Sequence, residues 1–208
     1  EIGRIAGAKD EERFAKWAAY RRATFAAFCA GIPQLRARLP DVHIVIRPHP
    51  SENLATWRTI AASLQRVSVE PPTQTVIPWI LGAEMVVHNS CTTAVEAFLL
   101  DTPVVTFHVP EIDTEMESRL PNALSRAAYS CNEVADLLAD VTIRGRDGWF
   151  TDEQRSIADE FVAARTGDFA CERIVALAEK LGAMTEHGTL PDPVSLGIKP
   201  RNIVRRAA

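Results

Sequence analysis

Four short apolar runs punctuate the middle of the chain: Val42-His43-Ile44-Val45-Ile46, Val67-Ser68-Val69, Met85-Val86-Val87-His88 and Pro103-Val104-Val105-Thr106-Phe107. Their brevity and β-branched content suit strands buried within a parallel sheet. Between them, Leu54 to Leu64, Thr75 to Leu81 and Thr92 to Leu100 carry the spacing of short helices. Strands that alternate with helices are joined by right-handed crossovers, which restricts the topology to a few possibilities. The expected class is therefore α/β, a Rossmann-like parallel sheet flanked by helices.

The flanking regions add helices to this frame. From about Asp10 to Leu39, Phe14, Trp17, Phe25, Phe28 and Leu35 recur at broadly helical spacing, which predicts one long helix. Gly31 and Pro33 are expected to break or kink it before Pro40 ends it. Beyond Phe107, the polar stretch His108 to Pro121 reads as a loop in which Asp113, Glu115 and Glu117 face solvent. Ala127 to Ser130 reads as a last edge strand. Three helices follow, over Asn132 to Asp140 with Asn132 as its cap, Thr151 to Ala164, and Asp168 to Leu181. The resulting division is an N-terminal helical segment over 1–40 packing on the domain, a nucleotide-binding domain over 41–183, and an extended tail over 184–208.

At 208 residues the chain has room for one well-buried domain. A formal charge of −4 offers no basic field for a nucleic-acid backbone. No apolar run approaches the ~20 residues that span a bilayer, and no secretory signal opens the chain. A first residue other than Met implies a start inside a longer protein. Cys29, Cys91, Cys131 and Cys171 stand apart, without CxxC pairs or zinc-ligand spacing. They are expected as free thiols in the cytoplasm, with peripheral attachment to an inner membrane as the variant, and no metal is expected.

Two segments place polar groups directly after buried-looking strands, where ligands bind in open α/β sheets. The first is Arg47-Pro48-His49-Pro50-Ser51-Glu52. Its prolines restrict the turn, so Arg47 and a protonated His49 can face a phosphate while Glu52 orients the imidazole or accepts a sugar hydroxyl. The simpler alternative is an Arg47–Glu52 surface pair with His49 filling the turn. The second is His88-Asn89-Ser90-Cys91-Thr92-Thr93-Ala94-Val95-Glu96. A helix starting near Thr92 offers free N–H groups to a phosphate, hydroxyls of Ser90, Thr92 and Thr93 complete the cradle, and Glu96 reaches ribose hydroxyls. Plain N-capping by Ser90 or Thr92 is the alternative. Cations, hydroxyls, a helix terminus and a carboxylate together match a nucleoside phosphate sugar better than either segment alone. Trp79 is expected to pack the sheet or stack on a base, and His108 stands in a ligand-facing position without further support. The absence of GxGxxG and GxxxxGK[ST] disfavours a dehydrogenase or P-loop ATPase.

The strings from Ile44 to Asn53, Pro78-Trp79-Ile80 and His88 to Ala97 resemble bacterial surface-carbohydrate biosynthesis proteins. More broadly they resemble the C-terminal domain of GT-B-fold glycosyltransferases. His49-Pro50 and the hydroxyls of Ser90, Thr92 and Thr93 are similar to the motifs with which capsule sialyl- and Kdo-transferases hold the phosphate and ribose of a CMP-sugar. The region through Glu96 and Pro103 is similar to the donor site of UDP-sugar enzymes, where the matching Glu holds the ribose.

The resemblance covers roughly residues 10 to 110 and implies one half of a two-domain, metal-independent enzyme. The missing N-terminal GT-B domain would supply the base, and a glycan or lipid-linked acceptor would complete the reaction. It assigns donor binding to Arg47, His49, Glu52, His88, Asn89, Ser90, Thr92, Thr93 and Glu96, with His49 also catalytic, and no cofactor beyond the nucleotide sugar itself. Two rival readings keep the chain in other classes: a nucleotide-sugar epimerase or CDP-glycerol-type phosphotransferase, and a non-catalytic module of a polysaccharide assembly complex.

Overall fold

The computed structural model describes residues 8–109, 116–162 and 167–180, with side chains from residue 11 onward. The chain divides into two compact units, 1–161 and 162–208. The first holds every described element but the last. In order these are α1 (Ala8–Arg38), β1 (Ile44–Ile46), α2 (Leu54–Ala62), β2 (Val67–Val69), α3 (Ile77–Gly82), β3 (Val86–His88), α4 (Thr93–Leu99), β4 (Val104–Phe107), α5 (Arg119–Ala123), β5 (Arg126–Ala128), α6 (Cys131–Arg144) and α7 (Asp152–Phe161). The second unit contributes α8 (Ala170–Lys180), whose described residues bury nothing.

The protein is mixed α/β, with eight helices and two small parallel sheets among the described residues. One sheet pairs β1 with β2, Ile44 opposite Val67 and Ile46 opposite Val69. The other has the order β3-β4-β5, with Val86 opposite Val104 and Thr106 opposite Ala127. A single sheet was the expectation from the apolar runs, and the hydrogen-bond ladders form two instead. Each strand is only three or four residues long, and β1 spends its backbone groups on β2 and its flanks, as in Ile44 N–H to Arg66 O and Glu70 N–H to Ile46 O. Val45 accordingly stands 41 % exposed, whereas the central β4 is buried along its whole length.

Each sheet has its own apolar core. Ile80, Phe98, Val104, Val105, Leu124 and Val134 centre the larger one, and Ile46, Trp57 and Ile32 the smaller. The helix α1 packs on both, with Phe28 shared between them. Phe28 meets Phe107 edge-on at 5.4 Å, and Phe25 meets Trp57 edge-on at 5.0 Å. This double role explains why α1 continues through Gly31 and Pro33 to Arg38 rather than breaking there. Proline removes one helical hydrogen bond, and burial of Ile32 and partial burial of Leu35 on either side of it holds the last turns in place.

Gly31 sits where α1 crosses α6: a Cβ there would lie 3.1 Å from Cys131 Sγ, and burial pushes that thiol's pKa up. Gly31→Val is expected to destabilise the protein by roughly 1–3 kcal/mol through overpacking. Adding Cys131→Ala should recover much of the loss in a denaturant titration. Equal stability of wild type and Gly31→Val would show that this crossing is loose.

The cap of α6 also differs from expectation. Ser130, not Asn132, takes the N-cap: its Oγ accepts from Glu133 N–H at 3.2 Å while the Glu133 carboxylate accepts from Tyr129 N–H at 2.9 Å. Ahead of α7, Thr151 and Gln154 bond reciprocally as a capping box, at 3.2 and 3.0 Å. The stretch read as a loop through Pro121 runs into the short helix α5, which carries Asn122.

Candidate functional site

The loop after β1 leaves the sheet at Arg47. Its guanidinium lies over the Trp79 ring, 5.4 Å from the centroid, and Nη2 donates to Gln74 O at 2.8 Å. Nη1 is shut off from solvent and has no hydrogen-bond partner among the described residues. A buried, charged donor left in that state is costly, and an acceptor arriving there would relieve the cost.

His49 is exposed at the tip of the loop. Its Nδ1 lies 2.7 Å from Ser51 Oγ and accepts from Ser51 N–H at 3.2 Å. That backbone donor places the proton of the neutral ring on Nε2, which points to no described partner. Ser51, rather than Glu52, therefore orients the imidazole. Glu52 accepts from Trp57 Nε1 at 3.2 Å and from His49 N–H at 3.3 Å, and pairs with Arg21 of α1 at 3.7 Å. The Arg47–Glu52 surface pair of the simpler alternative does not form among the described contacts. Glu52 also adds to burial in raising the pKa of Cys29, on the α1 face turned toward it.

The loop after β3 is more enclosed. His88 is 6 % exposed and uses both ring nitrogens: Nε2 lies 2.7 Å from Ser125 Oγ, and Nδ1 accepts from Cys91 N–H at 3.2 Å. Ser125 Oγ donates its proton to Pro121 O at 2.7 Å, so Nε2 must be the donor in the His88–Ser125 bond. Burial first, and the charge of nearby His108 second, push the His88 pKa down to about 4. It is a neutral, fully bonded ring.

Asn89 accepts from Tyr20 Oη of α1 and donates to Phe107 O at 3.0 Å. Ser90 adopts the left-handed backbone at φ 49°, uncommon for a residue with a side chain, and its Oγ accepts from Asn122 Nδ2 at 3.3 Å. Thr92 occupies the N-cap of α4 without a side-chain bond, so the capping alternative is not realised by Thr92 or by Ser90. Thr93 Oγ1 accepts from Cys91 Sγ at 3.2 Å. Glu96 is exposed in the first turn, its carboxylate without a described partner.

Consecutive residues of α1 thus touch both loops, Tyr20 the one after β3 and Arg21 the one after β1. Both loops lie at the carboxyl ends of parallel strands, against one turn of the same helix. Arg47, His49 and Glu96 each keep a polar group without a described partner, the first of them buried, while His88 faces inward and Asn89, Ser90 and Thr93 are tied into the scaffold.

Beside them lies a network that composition had concealed. Glu117, expected in a solvated loop, has a side chain only 8 % exposed. His108 Nδ1 approaches its Oε2 to 3.1 Å, Asn122 Nδ2 donates to the same carboxylate at 2.7 Å, and Thr106 Oγ1 donates to Asn122 Oδ1 at 3.1 Å. Asp113 and Glu115 lie outside the described residues. Tyr20, Arg21, Asn122 and Ser125 carried no motif, and Ser51 stood in the first segment without a role, because each acts only through a partner distant in sequence or through a turn.

A void of about 20 Å³ between α1, β3, β4 and α6 is lined by Phe28, Ile32, Leu35, Val87, Phe107 and Val134. It lacks any group suited to an anion and is packing space. Among the described residues no three His, Cys, Asp or Glu gather as metal ligands, and no helix is long and apolar enough to cross a membrane. No protein-family model, curated protein or solved structure matches this chain.

Proposed function

We propose that this chain supplies the Rossmann-like, nucleotide-sugar-binding half of a GT-B glycosyltransferase that builds a bacterial surface polysaccharide from a CMP- or UDP-activated sugar. The observation that carries this reading is Arg47 Nη1, buried and unbonded among the described residues at the carboxyl end of β1, in the same loop as His49, whose Nε2 has no described partner. An anionic oxygen reaching Nη1 would satisfy the guanidinium, and another oxygen of the same donor would accept from the imidazole. The arrangement of the second loop agrees with this, since α1 draws it toward the first and Glu96 remains free to accept from ribose hydroxyls.

In this reading Arg47 and His49 stabilise the charge that grows on the departing phosphate, an effect of preorganised donors. Glu96 orients the ribose, and the acceptor glycan or lipid-linked glycan approaches from the domain that completes the enzyme. The sugar moves with inversion or retention according to where that acceptor stands.

Titration of the chain with CMP and with UDP, followed by calorimetry and amide NMR, tests the reading. At least one nucleotide should bind and shift resonances of the two loops. Arg47→Met keeps the stem over Trp79 and removes the charge, and it should weaken that binding by about 10–100-fold, the worth of a charge-assisted hydrogen bond. Lack of binding by either nucleotide at millimolar concentration would end the case for a donor domain and favour an assembly module.

A further inference from the structure

We propose that His108 and Glu117 form a proton-transfer dyad at the carboxyl rim of β4, in which His108 Nε2 takes the proton of the acceptor hydroxyl in place of the base that the resemblance assigns to the missing domain; this assignment rests on the sugar-transfer reading above. The two residues stand nine positions apart in sequence and meet at 3.1 Å. Glu117 is nearly buried and can only accept, so Nδ1 carries the proton it receives. That leaves Nε2 as the basic atom of the neutral ring, without a partner among the described residues.

The carboxylate is itself held. Asn122 gives one amide hydrogen to Glu117 and the other to Ser90 Oγ, and its Oδ1 is fixed by Thr106 Oγ1. The dyad is therefore wired to the loop after β3 through Ser90. The ring is 18 % exposed, and Tyr129 stacks on one of its faces, centroids 5.2 Å apart at 21°. An imidazole oriented by a carboxylate, its far nitrogen without a described partner and its side chain partly exposed, has the arrangement of a general base.

The other histidines of the rim are differently used. His88 has both nitrogens bonded, and His49 holds its proton on Nε2 as a donor. The acceptor O–H proton passes to Nε2 as the oxygen bonds to the anomeric carbon. The bond from that carbon to the donor phosphate breaks, its electron pair leaving on the phosphate oxygen. The imidazolium so formed is paired with Glu117 and returns its proton to solvent.

Ring-¹⁵N histidine NMR on the full chain, with diethyl pyrocarbonate as a chemical probe of free imidazole nitrogen, tests this directly. Neutral His108 should show the Nδ1–H tautomer, and its carbethoxylation should outpace that of His88 at least tenfold. In Glu117→Gln the tautomer should shift toward Nε2–H and carbethoxylation of His108 should slow, because the carboxylate is what leaves Nε2 basic. Saturating CMP or UDP should slow the modification of His108. A proton on Nε2 in the wild type, or a His108 inert to the reagent, would overturn the dyad. Failure of both nucleotides to protect, with the tautomer intact, would overturn the sugar-transfer reading while leaving the basic nitrogen established.

Discussion

If this chain is the donor half of a glycosyltransferase, as proposed, His49→Ala in the completed enzyme is expected to cut donor turnover by about 10²–10³-fold, the usual loss when one preorganised donor to a developing oxyanion is removed. The fold should be indifferent. His49 is exposed, its ring bonds only within its own turn to Ser51, and nothing in either core leans on it. Steady-state transfer measured with CMP- and UDP-linked sugars, alongside the unfolding midpoint, separates the two effects. A loss in kcat with an unchanged midpoint fits a group acting on the departing phosphate. Turnover within a factor of two of wild type would remove His49 from the mechanism.

The second large effect concerns acid. His88 titrates near the ordinary 6.5 when unfolded and near 4 when folded, because burial and the neighbouring His108 charge oppose its protonation. The unfolded chain therefore binds more protons between these values, and stability must fall as pH drops. The contribution is complete above about pH 6.5 and disappears progressively down to about pH 4. Across that 2.5-unit window the change is on the order of 3 kcal/mol at 1.36 kcal/mol per unit. Urea unfolding of wild type at pH 7, 5.5 and 4 measures the slope. His88→Gln keeps a donor toward Ser125 and cannot ionise, so its curve should be flatter by that amount. Parallel curves for the two proteins would show that the ring is not held neutral by the fold.

The strands and most helices were legible because burial writes itself into β-branched runs and helical spacing. The apolar run ending at Ile46 and the one ending at Phe107 both became strands at those ends. Which strands pair was not legible. Periodicity reports how a segment is buried, not its neighbour, and so two ladders read as one. The candidate loops were visible as polar groups after strands, yet their wiring was not. Arg47 and Glu52 look like a pair in sequence, but the turn closed by Glu52 N–H to His49 O sends Glu52 toward Arg21 and Trp57. Glu117 was misread for a related reason. Acid density suggests hydration, whereas its burial depends on His108 and Asn122, brought together by β4 and the short helix α5.

The contacts of Tyr20 and Arg21 make α1 a lever between remote points. Its position against α6 is set at Gly31, eleven residues or about 16 Å further along at 1.5 Å per residue. A rigid helix shifted at one end carries its other turns with it. A bulky side chain at Gly31 would then alter the spacing of the two loops, and on the proposed reading would register as a change in nucleotide affinity about three helical turns away.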